Sequence, residues 1–306
     1  MSRLIIKGPA TSANVGPGYD IFALALDEPF DIIEVELSDL PGIEISVENN
    51  QTGIPLDPKK NVAGVAAQAL IDRYSIKQGV KILIRKNMAS GGGMGTTGAS
   101  ASATIFGLNK LLNLNLLDNE LIELASLGEV ASGGAAHVDN VAAAMLGGFV
   151  FVKSFDPLDV KKMELPEMPV VLAAMRKGQG ITRGRITYDI GAEKLKEQMA
   201  MVAGVVHAVH LKDPMTFGKA ISKDYIHEHV RGATIPGYWE VKKQTVEMGA
   251  FGCTVSGGGS SVITFCPKEK QDEIADYMHR EFSKSPDFVR IYKTKVSNTG
   301  VQFINP

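Results

Sequence analysis

The 306-residue chain is 44% hydrophobic and 22% charged, enough to bury a large core and to divide into two lobes. Its 32 Lys and Arg stand against 34 Asp and Glu, for a net charge of -2, and no basic block follows a phosphate backbone, so nucleic acid is not an expected partner. No apolar run approaches the roughly 20 residues of a membrane span, the first residues lack the apolar core of a cleavable signal, and the only two cysteines, Cys253 and Cys266, lack CxxC spacing, so a cytoplasmic protein with two buried thiols and no membrane partner, zinc or disulfide is expected.

Alternating apolar and polar residues predict strands in RLIIKG, DIIEVELS and GIEISVE. Helical spacing follows at residues 61–74, then an extended run at 79–85. From 98 to 127 the period is helical again, with Asp118 and Glu120 opening a second helix after the loop NLNLL. A short helix at 138–145 ends at Gly147 and Gly148, ahead of the strand FVFVK. The Pro-rich polar stretch SFDPLDVKKMELPEMP reads as a linker, which divides the chain into lobes 1–153 and 154–306. Beyond it the pattern predicts a strand at 170–175 and helices at 192–211, 214–222 and 238–248. Strands FGCTVS and SSVITF then flank Gly257, Gly258 and Gly259, followed by a helix at 268–283 and a last strand, FVRIYKT. Strands and helices mixed without strict alternation favour an α+β fold.

Glycine is the compositional departure, at 32 residues where average usage would give about 21. The segment SGGGMGTTGASA lies between the strand ending near Arg85 and the helix opening near Gly98. Its glycines let backbone N–H groups close on a ligand, and the helix N-terminus beside them favours an anion. The Walker pattern GxxxxGK followed by Ser or Thr is ruled out, because no lysine lies between Gly91 and Ala101. GxGxxG does match at 93–98, but helical spacing at 108–127 occupies the place of the second strand that a dinucleotide fold requires. The segment reads as a phosphate cradle whose threonines can cap the helix or ligate a Mg2+ that bridges phosphates. Two further loops share its character: GPATSANVGPGYD, which presents Asn14 and Asp20, and TVSGGGSS. Fifteen glycines, namely Gly8, Gly16, Gly18, Gly91, Gly92, Gly93, Gly95, Gly98, Gly133, Gly134, Gly147, Gly148, Gly257, Gly258 and Gly259, are expected for the most part to line one cleft.

PATSANVGPGYD, GGGMGTTGASAS and TVSGGGSSVITF, in this order and spacing, resemble the three motifs of the GHMP small-molecule kinases. GGAAHVDNVAAAMLGG and the GPGYD ending of the first motif look specifically like the members that use ATP to phosphorylate the side-chain hydroxyl of L-homoserine, a step toward threonine. The resemblance implies an N-terminal α/β lobe with a left-handed crossover, a C-terminal α+β lobe, and an active site between them. It implies that Ser90, Gly91, Gly92, Gly93, Met94, Gly95, Thr96, Thr97 and Gly98 hold the ATP triphosphate. It further implies that Asn61 lines the adenine pocket and that Thr97 and Glu129 occupy the Mg2+ positions, as hard-oxygen donors can. The competing readings are a plain N-cap for Asn61 and a solvated helix-end charge for Glu129.

Homoserine requires an anion for its ammonium, a cation for its carboxylate and a neutral hydrogen-bonding group at its alcohol. By resemblance Asp20 meets the ammonium with help from Asn14, and Arg231 meets the carboxylate. A second arginine comes from GITRGRITY, with Arg185 the choice and Arg183 the other candidate; a guanidinium fork meets a carboxylate bidentately. His137 and Asn140 sit where the family places substrate-contacting side chains. Many GHMP kinases carry an aspartate that could act as base at the Asn140 position, but asparagine cannot take a proton, so Asn140 orients the hydroxyl and transfer rests on alignment and charge neutralisation. His207, His210, His227 and His229 are expected on the surface or in packing.

Two departures from the family are visible. Met88 and Ala89 stand where the second motif usually begins with proline, and GMGTT replaces GLGSS, with Thr keeping the hydroxyl. Together with the spacing at Arg185 they leave open another small alcohol, such as shikimate, mevalonate or pantoate, or a non-catalytic nucleotide-binding member. None of those alcohols carries an ammonium for Asp20. A homodimer is expected from the prevalence of twofold assemblies.

Overall fold

The computed structural model describes residues 3–50, 53–89, 92–133, 137–176, 190–258 and 260–304. The first lobe is built from β1 (Arg3–Ala13), β2 (Phe22–Ser38), β3 (Ile43–Val47), α1 (Val62–Tyr74), β4 (Gly79–Arg85), α2 (Thr96–Leu111), α3 (Asp118–Gly133), α4 (Val138–Leu146), β5 (Phe149–Phe155) and β6 (Leu158–Met163). β1 and β2 pair antiparallel along most of their lengths, with a register shift between Pro9 and Thr11, where proline brings no N–H to the ladder. β2 pairs with β4, and β4 with β3 in parallel; the β3 to β4 connection passes through α1. Asn61 starts α1, its Oδ1 accepting the Ala63 N–H at 2.9 Å.

The helices pack on this sheet through Ile6, Ile33, Val35, Leu70, Ile82, Ile105, Leu108 and Ile122. α2 is rich in small residues, which lets its backbone lie close on the sheet. At Gly107 an added Cβ would come within 2.5 Å of Val35 Cγ2 and 2.8 Å of Ile6 Cδ1.

The second lobe adds β7 (Pro169–Met175), α5 (Ala192–Leu211), α6 (Pro214–Ile221), α7 (Glu228–Gly232), α8 (Tyr238–Glu247), β8 (Gly252–Ser256), β9 (Ser261–Phe265), a 3-10 turn at Lys268–Lys270, α9 (Gln271–Phe282) and β10 (Phe288–Lys295). Its antiparallel sheet runs β10-β7-β9-β8. The two lobes share one apolar seam, in which Phe22, Leu24 and Phe149 meet Leu172, Phe217 and Phe265. Both cysteines are buried free thiols; desolvation pushes Cys253 up to about 11 and Cys266 up to about 12.

Several expected elements change. β2 begins nine residues before the DIIEVELS strand, because residues 22–26 are buried on both faces and so show no alternation. The stretch read as a linker folds instead as β6, an edge strand turned from β5 around Asp156 and Pro157. Only Val160 in it is buried, and the charges that made it look like a linker suit an edge. The short helix α7 was not expected.

The end of the described chain returns to the first lobe. Ser297 N donates to Ala25 O at 2.9 Å, Gly148 N to Ser297 O at 2.7 Å and Val301 N to Ala144 O at 2.8 Å, and β11 (Gln302–Phe303) pairs with β1. Gly147 and Gly148 belong to this strap and not to a cleft. A Cβ at Gly147 would sit 2.3 Å from Thr299 C, and one at Gly148 2.6 Å from Met163 O.

Candidate active site

The three glycine-bearing loops meet. Thr11 N donates to Met94 O at 3.0 Å and Gly257 N to Ala13 O at 3.1 Å, while Ser256 Oγ lies 2.9 Å from both Ser12 Oγ and Gly93 O. α2 starts from Gly95 in the left-handed region, with no side-chain cap, and its first internal bond is Ala99 N to Gly95 O. The N–H groups of Thr96, Thr97 and Gly98 therefore face out of the helix end toward the loop, where the helix dipole favours an anion. Glycine is required at 95 by both φ and space, since a Cβ would fall 1.8 Å from Thr11 Oγ1. Ser90, Gly91, Gly134 and Gly259 lie outside the described residues.

Beside this helix end is a cavity of about 240 Å³, lined by Ile54, Pro55, Asn61, Val62, Lys86, Thr96 and Thr97 among others. Asn61 is the N-cap of α1; its Nδ2 also donates to Pro55 O at 2.8 Å, and it lines this cavity. Lys86 was missed from sequence. Its Nζ pairs with the buried Asp31 carboxylate and reaches Thr96 O and Thr96 Oγ1, each at 3.1 Å. It enters the cradle from the end of β4, outside the segment where a Walker lysine would stand.

On the other side, the loop after β1 turns through left-handed Asn14, Val15 and Asp20. Asn14 Oδ1 accepts the Asp20 N–H at 2.9 Å, and Asn14 Nδ2 lies 3.4 Å from His227 Nε2. His227, at the start of α7, is buried and stands 5.9 Å, ring to ring, from Tyr19, so it packs against the loop after β1. α5 braces the region through Gln198, whose Nε2 donates to Pro17 O and Asp224 Oδ1, each at 2.8 Å. Asp224 in turn accepts the His227 and Glu228 N–H groups at the start of α7. α7 carries Arg231, 1% exposed, whose Nε and Nη2 find no acceptor among the described residues. Arg183 and Arg185 lie outside the described residues.

Glu129 is buried on α3, against the reading of a solvated charge, with Oε2 3.8 Å from His137 Nδ1. Asn140 is packed against the cradle, its Oδ1 accepting from Thr11 Oγ1 at 2.7 Å. Its neighbour Asp139, which no sequence motif singles out, is buried. Its Oδ1 accepts the Asn140 N–H at 2.8 Å, while Oδ2 has no partner among the described residues. Burial first, then the charges of Asp20 and Glu129, raise its pKa to about 7. The charges of Asp20 and Glu129 thus oppose ionisation of Asp139, and among the described residues no group of three or more His, Cys, Asp or Glu side chains is placed to hold a metal ion.

The GHMP kinases N terminal domain family matches residues 61–148, and the GHMP kinases C terminal family matches residues 205–284. Homoserine kinase of Methanococcus maripaludis (strain C5) is 38% identical over 298 residues, covering 97% of this chain and 97% of that protein. The chain belongs to the homoserine kinases of the GHMP family. Homoserine kinase of Methanocella arvoryzae is 32% identical over 311 residues, covering 100% of this chain and 98% of the relative. The crystal structure of homoserine kinase from Cytophaga hutchinsonii superimposes with a TM-score of 0.90 at 30% identity, covering 99% and 98% of the two chains. Methanococcus jannaschii mevalonate kinase, with a TM-score of 0.71 at 20% identity, shares the fold. The expected α+β GHMP architecture is the one found, and the chain is an ATP-dependent small-molecule kinase. Among the described residues no helix is long and apolar enough to cross a membrane.

Proposed function

We propose that this kinase transfers the γ-phosphoryl group of ATP to the side-chain hydroxyl of L-homoserine, giving O-phospho-L-homoserine and ADP, in threonine biosynthesis. The choice of acceptor rests on Arg231. A buried guanidinium with Nε and Nη2 unmet among the described residues suits a ligand carboxylate, and the carboxylates of Asp20 and Asp139 suit an ammonium. An amino acid carries both charges; mevalonate, shikimate and pantoate carry no ammonium.

In this reading the α2 N-terminus and Gly92 to Gly98 hold the triphosphate, Lys86 flanks it, and the cavity beside Asn61 takes the base. Asp20 and Asn14 hold the ammonium, Arg231 holds the carboxylate with Arg185 or Arg183, and His137 and Asn140 border the alcohol. The homoserine oxygen bonds to the γ-phosphorus as the bond from that phosphorus to the β-phosphate oxygen breaks. The hydroxyl proton passes to an oxygen of the transferring phosphoryl group, and a loose transition state needs no stronger base than this.

A Mg2+ fits the donor set. Thr97 offers a hydroxyl, and Glu129 a buried carboxylate in a carboxylate-rich region. Mg2+ usually takes one or two protein oxygens together with phosphates and water, so no cluster of three protein ligands is called for. Bound there, the ion would neutralise charge on the β- and γ-phosphates. The reading also includes a cytoplasmic location and a homodimer, the latter measurable by light scattering.

A coupled ADP-release assay comparing L-homoserine, L-serine, L-threonine, shikimate, mevalonate and pantoate tests the proposal. Turnover is expected on L-homoserine. Turnover on one of the other alcohols but not on L-homoserine overturns the substrate, and ATP binding without turnover on any overturns the activity.

A further inference from the structure

Thr11 lies in β1, fully buried, with its backbone already committed to the nucleotide loop through Met94 O. Its side chain does something else. Oγ1 donates to Asn140 Oδ1 at 2.7 Å across 129 residues of sequence, in the space that the missing Cβ of Gly95 leaves open; a Cβ there would come 1.8 Å from Thr11 Oγ1 and 2.8 Å from Asn140 Oδ1. A β-branched side chain is stiff at χ1, so this hydroxyl holds a fixed place.

The two ends of the Asn140 amide are of similar size but opposite chemistry: the oxygen accepts and the nitrogen donates. The oxygen end lies beside the N-terminus of α2, where the field of the unbonded amides favours partial negative charge. With Oδ1 taken by Thr11, Nδ2 is the end left without a protein partner among the described residues.

We propose that Thr11 is a positioning residue for phosphoryl transfer: its hydroxyl locks the Asn140 amide so that Nδ2, and not Oδ1, is turned to the acceptor alcohol. This rests on the reading that Asn140 borders that alcohol. An amide held this way donates to the alcohol oxygen and fixes where its lone pair points. It offers no acceptor to the hydroxyl proton, which remains directed to the phosphoryl oxygens. A threonine hydroxyl can donate or accept, so it is the field at the α2 N-terminus that makes it donate to Oδ1; without the hydroxyl that anchor is lost, and the reversed amide draws the hydroxyl hydrogen toward itself and misdirects the lone pair.

The test is a double-mutant cycle on the full chain with ATP and L-homoserine, after turnover of the unmodified enzyme on L-homoserine is established; its absence overturns the function and not the role of Thr11. Thr11→Val keeps the shape and removes the hydroxyl, and Thr11→Ser keeps the hydroxyl. We expect Thr11→Val to lower kcat about tenfold or more with KM for both substrates nearly unchanged. Thr11→Ser should recover most of that loss, and Thr11→Val in an Asn140→Ala background should add no further loss. Equal losses for the Val and Ser variants, or a Val effect that persists in full without Asn140, overturn the proposal and leave a packing role. An Asn140→Ala variant with unchanged kcat overturns the reading of Asn140 on which it rests. Asn140→Ala impaired beside an unimpaired Thr11→Val overturns the positioning role alone.

Discussion

At Arg231 the requirements of binding and of stability oppose one another. A buried guanidinium with unmet donors destabilises the free protein by ~3 kcal/mol relative to one that is fully paired, and apolar replacement of buried charge is often stabilising. Arg231→Leu is therefore expected to raise Tm while raising KM for L-homoserine ~100-fold, as the loss of a desolvated charge partner does, with KM for ATP little moved. A fall in Tm with equal loss of both substrates would mark Arg231 as structural. Asp139 gives a pH signature. Its folded pKa, raised to about 7 chiefly by burial, lies above the ordinary carboxylate value of about 3.9. Between those values the folded state holds the proton that the unfolded state has lost, so this contribution to stability is fully present below about pH 4 and is lost as pH rises through 7. Thermal melts of the ligand-free protein at pH 5 and pH 8 should show a larger drop than melts of Asp139→Asn; identical pH dependence of the two would contradict the shift. Sequence made Arg231, Asp20, Thr97 and Glu129 legible because they stand in or beside recognisable motifs. Lys86 and Asp139 were not legible, since what marks them is burial and a group far along the chain: the Asp31 carboxylate that pairs with Lys86, and the like charge of Asp20 that opposes ionisation of Asp139.

Within α2, two glycines serve different ends and predict different failures. Gly95 has φ of +61° and no room for a Cβ beside Thr11, so Gly95→Ala must disturb the helix start proposed above to hold the phosphates. Titration with a fluorescent nucleotide should show affinity reduced about tenfold or more. Gly107 meets Val35 and Ile6 on the sheet, so Gly107→Ala should cost about 1–3 kcal/mol of stability through overpacking and lower Tm accordingly, while the folded fraction keeps its nucleotide affinity. If Gly107→Ala weakened nucleotide as much as Gly95→Ala, the assignment of the cradle to the N-terminal end of α2 would fail. The expected helix began at Gly98 and the structure begins it at Thr96, because a left-handed glycine cap leaves no side-chain signal. β6 was hidden for a related reason: an edge strand with one buried residue has too little alternation to read, whereas β7, buried after Pro169, and β9, buried throughout, announce themselves by their apolar runs.

Across the whole molecule, the glycine excess divides into two groups. Gly93, Gly95 and Gly257 lie where the three motif loops meet, whereas Gly16 packs on Ile221, Gly18 on Phe22, and Gly147 and Gly148 join Gly300 in closing the C-terminal strap, long-range packing that no local pattern encodes. A Cβ at Gly300 would come 2.2 Å from Met145 O, so Gly300→Val should loosen the strap. Hydrogen exchange should then quicken in β1 and α4 ahead of the second sheet, with Tm lower by several degrees, about 2–4 °C per kcal/mol lost in a chain of this size. Faster exchange confined to the second lobe would refute that coupling. The strap also bears on the order in which the protein is made. The first sheet holds β1 and β11, its earliest and latest strands in sequence, with the second lobe threaded between them. On the ribosome, where segments emerge from the N-terminus onward, the second sheet has all its strands once Lys295 is out. The first sheet must wait for Gln302 and Phe303. The lobe that is synthesised first is therefore completed after the second sheet, and until Gln302 and Phe303 pair with it its β1 edge stands open to any strand that reaches it.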